Sequence, residues 1–167
     1  MPELGSLGIS MSTSQITIEY PEPFYSLFNT SRGDLPSIVV VNAKLREFAH
    51  RDIFPWHLSV IIEPRALAER GMPTHDECAI LDVVGDEIEA AIVGNRNGLF
   101  LARETCNGKR QLLFRVHDPD IADGSLRQII ASGSQKREWE FLMKQDATWA
   151  FAEPFFSLLL HAGGADA

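Results

Sequence analysis

Two stretches of alternating character, Leu99–Cys106 and Lys109–Val116, are separated by Asn107-Gly108. Both central residues of a type I′ turn need a positive φ, which Asn and Gly tolerate best, so this dipeptide reads as the loop of a β-hairpin. A two-residue loop fixes the register. It sets Cys106 opposite Lys109, Thr105 opposite Arg110, Arg103 opposite Leu112, Leu101 opposite Phe114 and Leu99 opposite Val116. One face then carries Leu99, Leu101, Leu112, Phe114 and Val116, with Arg103, Thr105 and Arg110 near its tip. The other carries Phe100, Ala102, Leu113 and Arg115 and is half-apolar.

A lone hairpin is marginal in water, so the rest of the chain must extend and cover it. Alternation marks strands at Gln15–Tyr20, Ser37–Leu45, Trp56–Glu63 and Glu138–Gln145, while Phe24–Asn29 fits a strand or a helical turn. Ser31-Arg32-Gly33-Asp34 is a turn cluster. Thr74 followed three residues on by Glu77 is a capping box, and Leu81, Val84, Ile88, Ala91 and Ile92 continue at helical spacing to an end near Gly94-Asn95. Asp118-Pro119 opens a second helix with a stripe of Ala122, Leu126, Ile129 and Ile130, closed by Gly133. Trp149–His161 is aromatic and apolar, with Pro154 near the start of a terminal helix.

From residue 56 onward the order is β-α-β-β-α-β, the split βαβ or ferredoxin-like arrangement. The expected fold is therefore an α+β sandwich of this type, with extra N-terminal strands and a C-terminal helix. It forms one domain over residues 14–161, between flexible tails at 1–13 and 162–167. Right-handed crossovers put both internal helices on one sheet face. The opposite face is then an interface, or is covered by Phe24, Tyr25 and Phe28 or by Phe151, Phe155 and Phe156 of the terminal helix.

The formal net charge is −8, and the lysines and arginines come singly or in pairs. Such a chain repels nucleic acid and anionic membranes, whereas a basic protein partner would be attracted. Cys78 and Cys106 have neither CxxC spacing nor a disulfide framework. Nothing at the N-terminus resembles a signal peptide and no apolar run reaches the roughly 18 residues of a membrane span, so the expected location is the cytoplasm.

Residues able to carry chemistry are scattered. Asp82, Asp86, Glu87 and Glu89 are clustered along the first helix, and paired acids hold metals or run acid–base steps, although such a row is also an ordinary solvated face. Of the five histidines, no pair has the spacing of a helical zinc site; His57 and His117 would meet only if their strands are neighbours. Cys106 beside Lys109 resembles an activated thiol without a base. No phosphate loop or nucleophile elbow is present, no cofactor or metal is implied, and the balance leans away from an enzyme. Arg103, Thr105 and Arg110 form the most specific group: arginines on a mostly apolar face must snorkel or meet an acid, for which Glu87 is a candidate. They form a structural salt bridge, or a small anion-binding site.

Asn42, Phe54-Pro55-Trp56, Gly71-Met72-Pro73, Arg103-Glu104-Thr105 with Asn107-Gly108 and Arg110, and Phe114-Arg115-Val116 with Asp118 together resemble the bacterial domain-of-unknown-function family numbered six hundred ninety-five. The resemblance runs from about residue 36 to 146 and implies a ferredoxin-like fold without assigning an activity. A related acidic family of similar fold regulates a ribonuclease by binding the enzyme. Arg115 is a departure, since it stands where an aromatic often closes the hairpin's second strand. The expectation is a non-catalytic protein-binding or regulatory module, acting on a protein partner or as a homodimer through Phe100, Leu113 and Arg115. The alternative is a small-ligand-binding protein or minor enzyme with an anion pocket near Arg103 and Arg110.

Overall fold

The computed structural model describes residues 18–166, with side chains through His161. Its strands are β1 (Tyr25–Arg32), β2 (Leu35–Asn42), β3 (Trp56–Ile62), β4 (Gly98–Cys106), β5 (Lys109–Val116) and β6 (Trp139–Gln145). Its helices are α1 (His75–Val93), α2 (Pro119–Ser132) and α3 (Glu153–Asp166). The six strands form one antiparallel sheet in the order β1-β2-β4-β5-β3-β6. The expected tail at 1–13 and the first residues of the expected strand Gln15–Tyr20 lie outside the described residues; Ile18–Tyr20 are not in a strand. Where a C-terminal tail was expected, the backbone of α3 runs through Asp166.

The hairpin loop forms as its chemistry requires, with φ of 51° at Asn107 and 73° at Gly108. Gly71, at φ 79°, packs on that loop: a Cβ there would stand 3.0 Å from Asn107 Cα, and its carbonyl accepts from the Gly108 N–H at 2.6 Å. The approach to α1 is thus pinned to the hairpin tip.

The expected register holds from Cys106↔Lys109 to Ala102↔Leu113 and then slips. Ala102 pairs with Leu113, but Phe100 pairs with Phe114 and Leu99 with Arg115, leaving Leu101 as an extra residue. One extra residue sends every side chain before it to the opposite face. This corrects the expected faces: Phe100 packs on the α1 side against Phe114, ring centroids 5.7 Å apart, while Leu99 and Leu101 join Val39, Val41 and Leu113 on the other side.

Two apolar clusters result, one on each sheet face. Under α1 and α2, residues Leu81, Val84, Ile88, Ile92, Ala122 and Leu126 meet Leu58, Val60, Leu112, Phe114 and Trp139. Ile129 is partly buried there, but Ile130 is exposed and leaves the expected stripe. On the opposite face, Trp149, Phe155 and Phe156 with Leu45, Phe48 and Phe54 cover Val41, Leu99, Leu101 and Leu113. Of the expected covering residues, Phe155 and Phe156 of α3 lie in this layer, whereas Phe151 is exposed.

Other boundaries moved for local reasons. β2 ends at Asn42, whose Oδ1 accepts from the N–H groups of Phe24 and Lys44 and whose Nδ2 donates to Phe100 O at 3.1 Å; Ala43–Glu47 then coil as a 3₁₀ turn. Thr74 caps α1 by accepting from Glu77 N–H at 3.2 Å, but the return half of the capping box is not made. The Glu77 carboxylate is buried and takes Nε and Nη2 of Arg137 at 2.7 Å each, plus the Arg65 N–H at 2.8 Å. These bonds, Arg137 first, hold Glu77 well below the usual carboxylate range, at about 2, against the opposing effect of burial.

Candidate functional site

The hairpin face that meets α1 carries Arg103, Thr105 and Arg110, as the register near the loop requires. Arg110 is buried. Its Nη1 donates to Asp82 Oδ1 at 2.6 Å, its Nε to Thr105 Oγ1 at 3.1 Å, and its Nη2 lies 3.9 Å from Cys78 Sγ. Arg103 reaches the same Asp82 Oδ1 only at 3.6 Å and, among the described residues, makes no hydrogen bond. The acid in this pairing is Asp82, not Glu87. Glu87 is exposed on another side of α1 and takes no part, which corrects the expected partner.

Asp82, Asp86 and Glu89 are spaced at i, i+4 and i+7, so they share one helix face, and Gly85 leaves room beside Leu112. Together with Arg103, Arg110 and Phe100 they line an open cleft of about 270 Å³. Burial and then Asp86 raise the Glu89 carboxyl above its ordinary value, with Arg103 opposing. Burial and then Arg110 lower Arg103, with Asp82 opposing. A cleft thus lies beside Arg103 and Arg110, and where an anion pocket was expected its wall carries three of the four acids noted along the helix.

Of the three residues expected at an interface, two are buried and one is half-buried. Leu113 and Arg115 are buried beneath α3, and Phe100 faces α1. Arg115 Nη1 donates to Asp146 Oδ2 at 2.9 Å, and Nη2 donates to Phe54 O at 3.2 Å and Asp146 O at 2.5 Å. The guanidinium sits 4.7 Å from the Trp149 ring centroid. Asp146 also accepts from the N–H groups of Ala150 and Phe151, and Trp149 Nε1 donates to Phe54 O. This assembly fastens the cover over the sheet.

That cover is incomplete. At the β3–β6 end of the same face, His57, Ser59, Ile61, Gln111, Leu142 and Phe151 line an open groove of about 500 Å³. Leu142 is 58% and Phe151 43% exposed. Gln111 Nε2 donates to Ser59 Oγ at 2.7 Å, and His57 stacks on Phe151 at 4.7 Å. His57 Nδ1 is buried without a hydrogen-bond partner. Burial first, then Arg115, lowers the His57 imidazole to about 4, so it is neutral at ordinary pH. Alternation in β3 and β6 placed these side chains on one face, but nothing in the sequence showed that the cover stops short of them.

The remaining candidates are dispersed. Lys109 is committed to Glu63 at 2.6 Å rather than to Cys106. His117 takes Ile53 O at 2.7 Å while His57 stacks on Phe151, so the two histidines have separate partners. Among the described residues no three His, Cys, Asp or Glu are grouped to hold a metal, and no helix is long and apolar enough to cross a membrane.

No curated protein and no solved structure matches the chain. A family model does match residues 25–159, well over half of the sequence. The chain belongs to that family, described as a family of unknown function (DUF695).

Proposed function

We propose that this protein is a non-catalytic binding module whose partner is a segment of another protein, seated in the groove at the β3–β6 end of the sheet. The observation that carries this reading is the incomplete cover: α3 shields one half of the face, and the other half leaves Leu142 and Phe151 open beside the polar Ser59–Gln111 pair. Interfaces are built this way, from apolar anchors ringed by groups that fix orientation. The net charge of −8 favours encounter with a basic partner.

The order β4-β5-β3-β6 with two crossover helices on one face supports a ferredoxin-like core, to which β1, β2 and α3 are additions. By analogy alone, that core links the chain to the regulators that act by binding an enzyme.

The test is affinity capture from the native lysate with the wild-type chain and with Leu142→Glu/Phe151→Ser. A protein captured in stoichiometric amount by the wild type and lost with the double variant supports the reading. Equal capture by both moves the interface elsewhere, and no capture by either removes the binding-module reading.

A further inference from the structure

The cleft between α1 and the hairpin lies across the sheet from the proposed groove and stands independently of it. Its charges are separated by element. The strands supply Arg103 and Arg110, and the helix supplies Asp82, Asp86 and Glu89. Asp82 and Arg110 are matched to each other at 2.6 Å. What remains is one half-buried guanidinium with no hydrogen bond among the described residues, facing two carboxylates that have no cation in hydrogen-bond contact among those residues. Arg103 lies 3.6 Å from Asp82 and is 33% exposed, so its planar fork of donors is open to a carboxylate that enters the cleft.

The ligand must satisfy both signs. A simple anion would meet Arg103 but be repelled by Asp86 and Glu89, and a simple cation would meet the reverse. The volume of about 270 Å³ lies just under the roughly 300–1,000 Å³ of sites for drug-sized ligands, so the occupant is small. Phe100, Leu81 and Leu112 supply an apolar wall. We propose that this cleft binds a free α-amino acid or a closely related small zwitterion, with its carboxylate on Arg103 and its ammonium group between Asp86 and Glu89.

The experiment is amide nitrogen–proton correlation NMR of the full chain, titrated to millimolar concentration with each standard L-amino acid. The tightest binder is then compared with its decarboxylated amine and its deaminated acid. The expected result is shifts confined to the amides of residues 82–89 and 100–103, with each single-charge analogue binding roughly tenfold or more weakly, as loss of a charge-assisted contact implies. Arg103→Gln should abolish the shifts and Arg103→Lys should retain part of them, with an unchanged amide spectrum showing that both fold. Three outcomes overturn the proposal: no amino acid shifts these amides, the amine or the acid alone binds as well as the amino acid, or Arg103→Gln binds like the wild type.

Discussion

Arg110 and Arg115 lie on the same strand, β5, and point to opposite faces of the sheet. Each guanidinium is buried and each pairs with an aspartate, yet the surroundings differ. Asp146 is 5% exposed, sealed with Arg115 under Trp149, whereas Asp82 is 55% exposed at the rim of an open cleft. The first pair is enclosed by Phe54 O and the Trp149 ring as well. The second leaves Arg103 nearby without a hydrogen bond among the described residues. The Arg115 pair, sealed from water although its Nε has no hydrogen-bond partner, holds structure together, while a pair left open keeps donors and acceptors available to something else.

The sharpest way to break this contrast is to remove one partner of the sealed pair. Asp146→Ala should cost roughly 3–5 kcal/mol, because it strands a buried guanidinium and frees the N–H groups of Ala150 and Phe151. Equilibrium denaturation in urea measures it. Leu101→Ala should cost about 2–5 kcal/mol, since the extra residue of β4 is fully buried under α3.

Leu101 also marks where the sequence was readable and where it was not. The turn and the register near Asn107-Gly108 follow from φ requirements, so they were legible. The slip was not, because Leu99, Phe100, Leu101 and Ala102 are apolar at every position. Alternation carries register only where one face is wet, and both faces of β4 are covered. The same limit hid Arg115. A polar residue in the half-apolar set looked like surface, because its partner Asp146 lies 31 residues away and is brought in only by the fold. The Arg103–Arg110 site was half visible: the hairpin placed the arginines, but choosing Asp82 over Glu87 required the helix phase relative to the sheet.

A smaller effect separates the two faces by pH. His57 lies on the covered face, and its folded value of about 4 sits below its ordinary 6.5. The unfolded chain therefore binds the proton first, so stability falls as pH drops from about 6.5 to about 4. Glu77, with a folded value of about 2 against an ordinary 4.5, retains its stabilisation until pH falls through that lower window. Urea midpoints across this range should decline in two stages, with His57→Phe flattening the first and Glu77→Gln the second.

The smallest change belongs to the open pair. Asp82→Asn should alter stability by at most about 1 kcal/mol, because water replaces much of what an exposed carboxylate supplies. A loss as large as that of Asp146→Ala would mean that the cleft is as structural as the sealed face.

The most direct test sets Arg115→Met beside Arg103→Gln in one urea unfolding series. A loss of roughly 3–5 kcal/mol for Arg115→Met, with Arg103→Gln within about 0.5 kcal/mol of wild type, is the expected result. Equal losses at the two positions would contradict the contrast between the sealed Arg115–Asp146 pair and the open cleft beside Arg103.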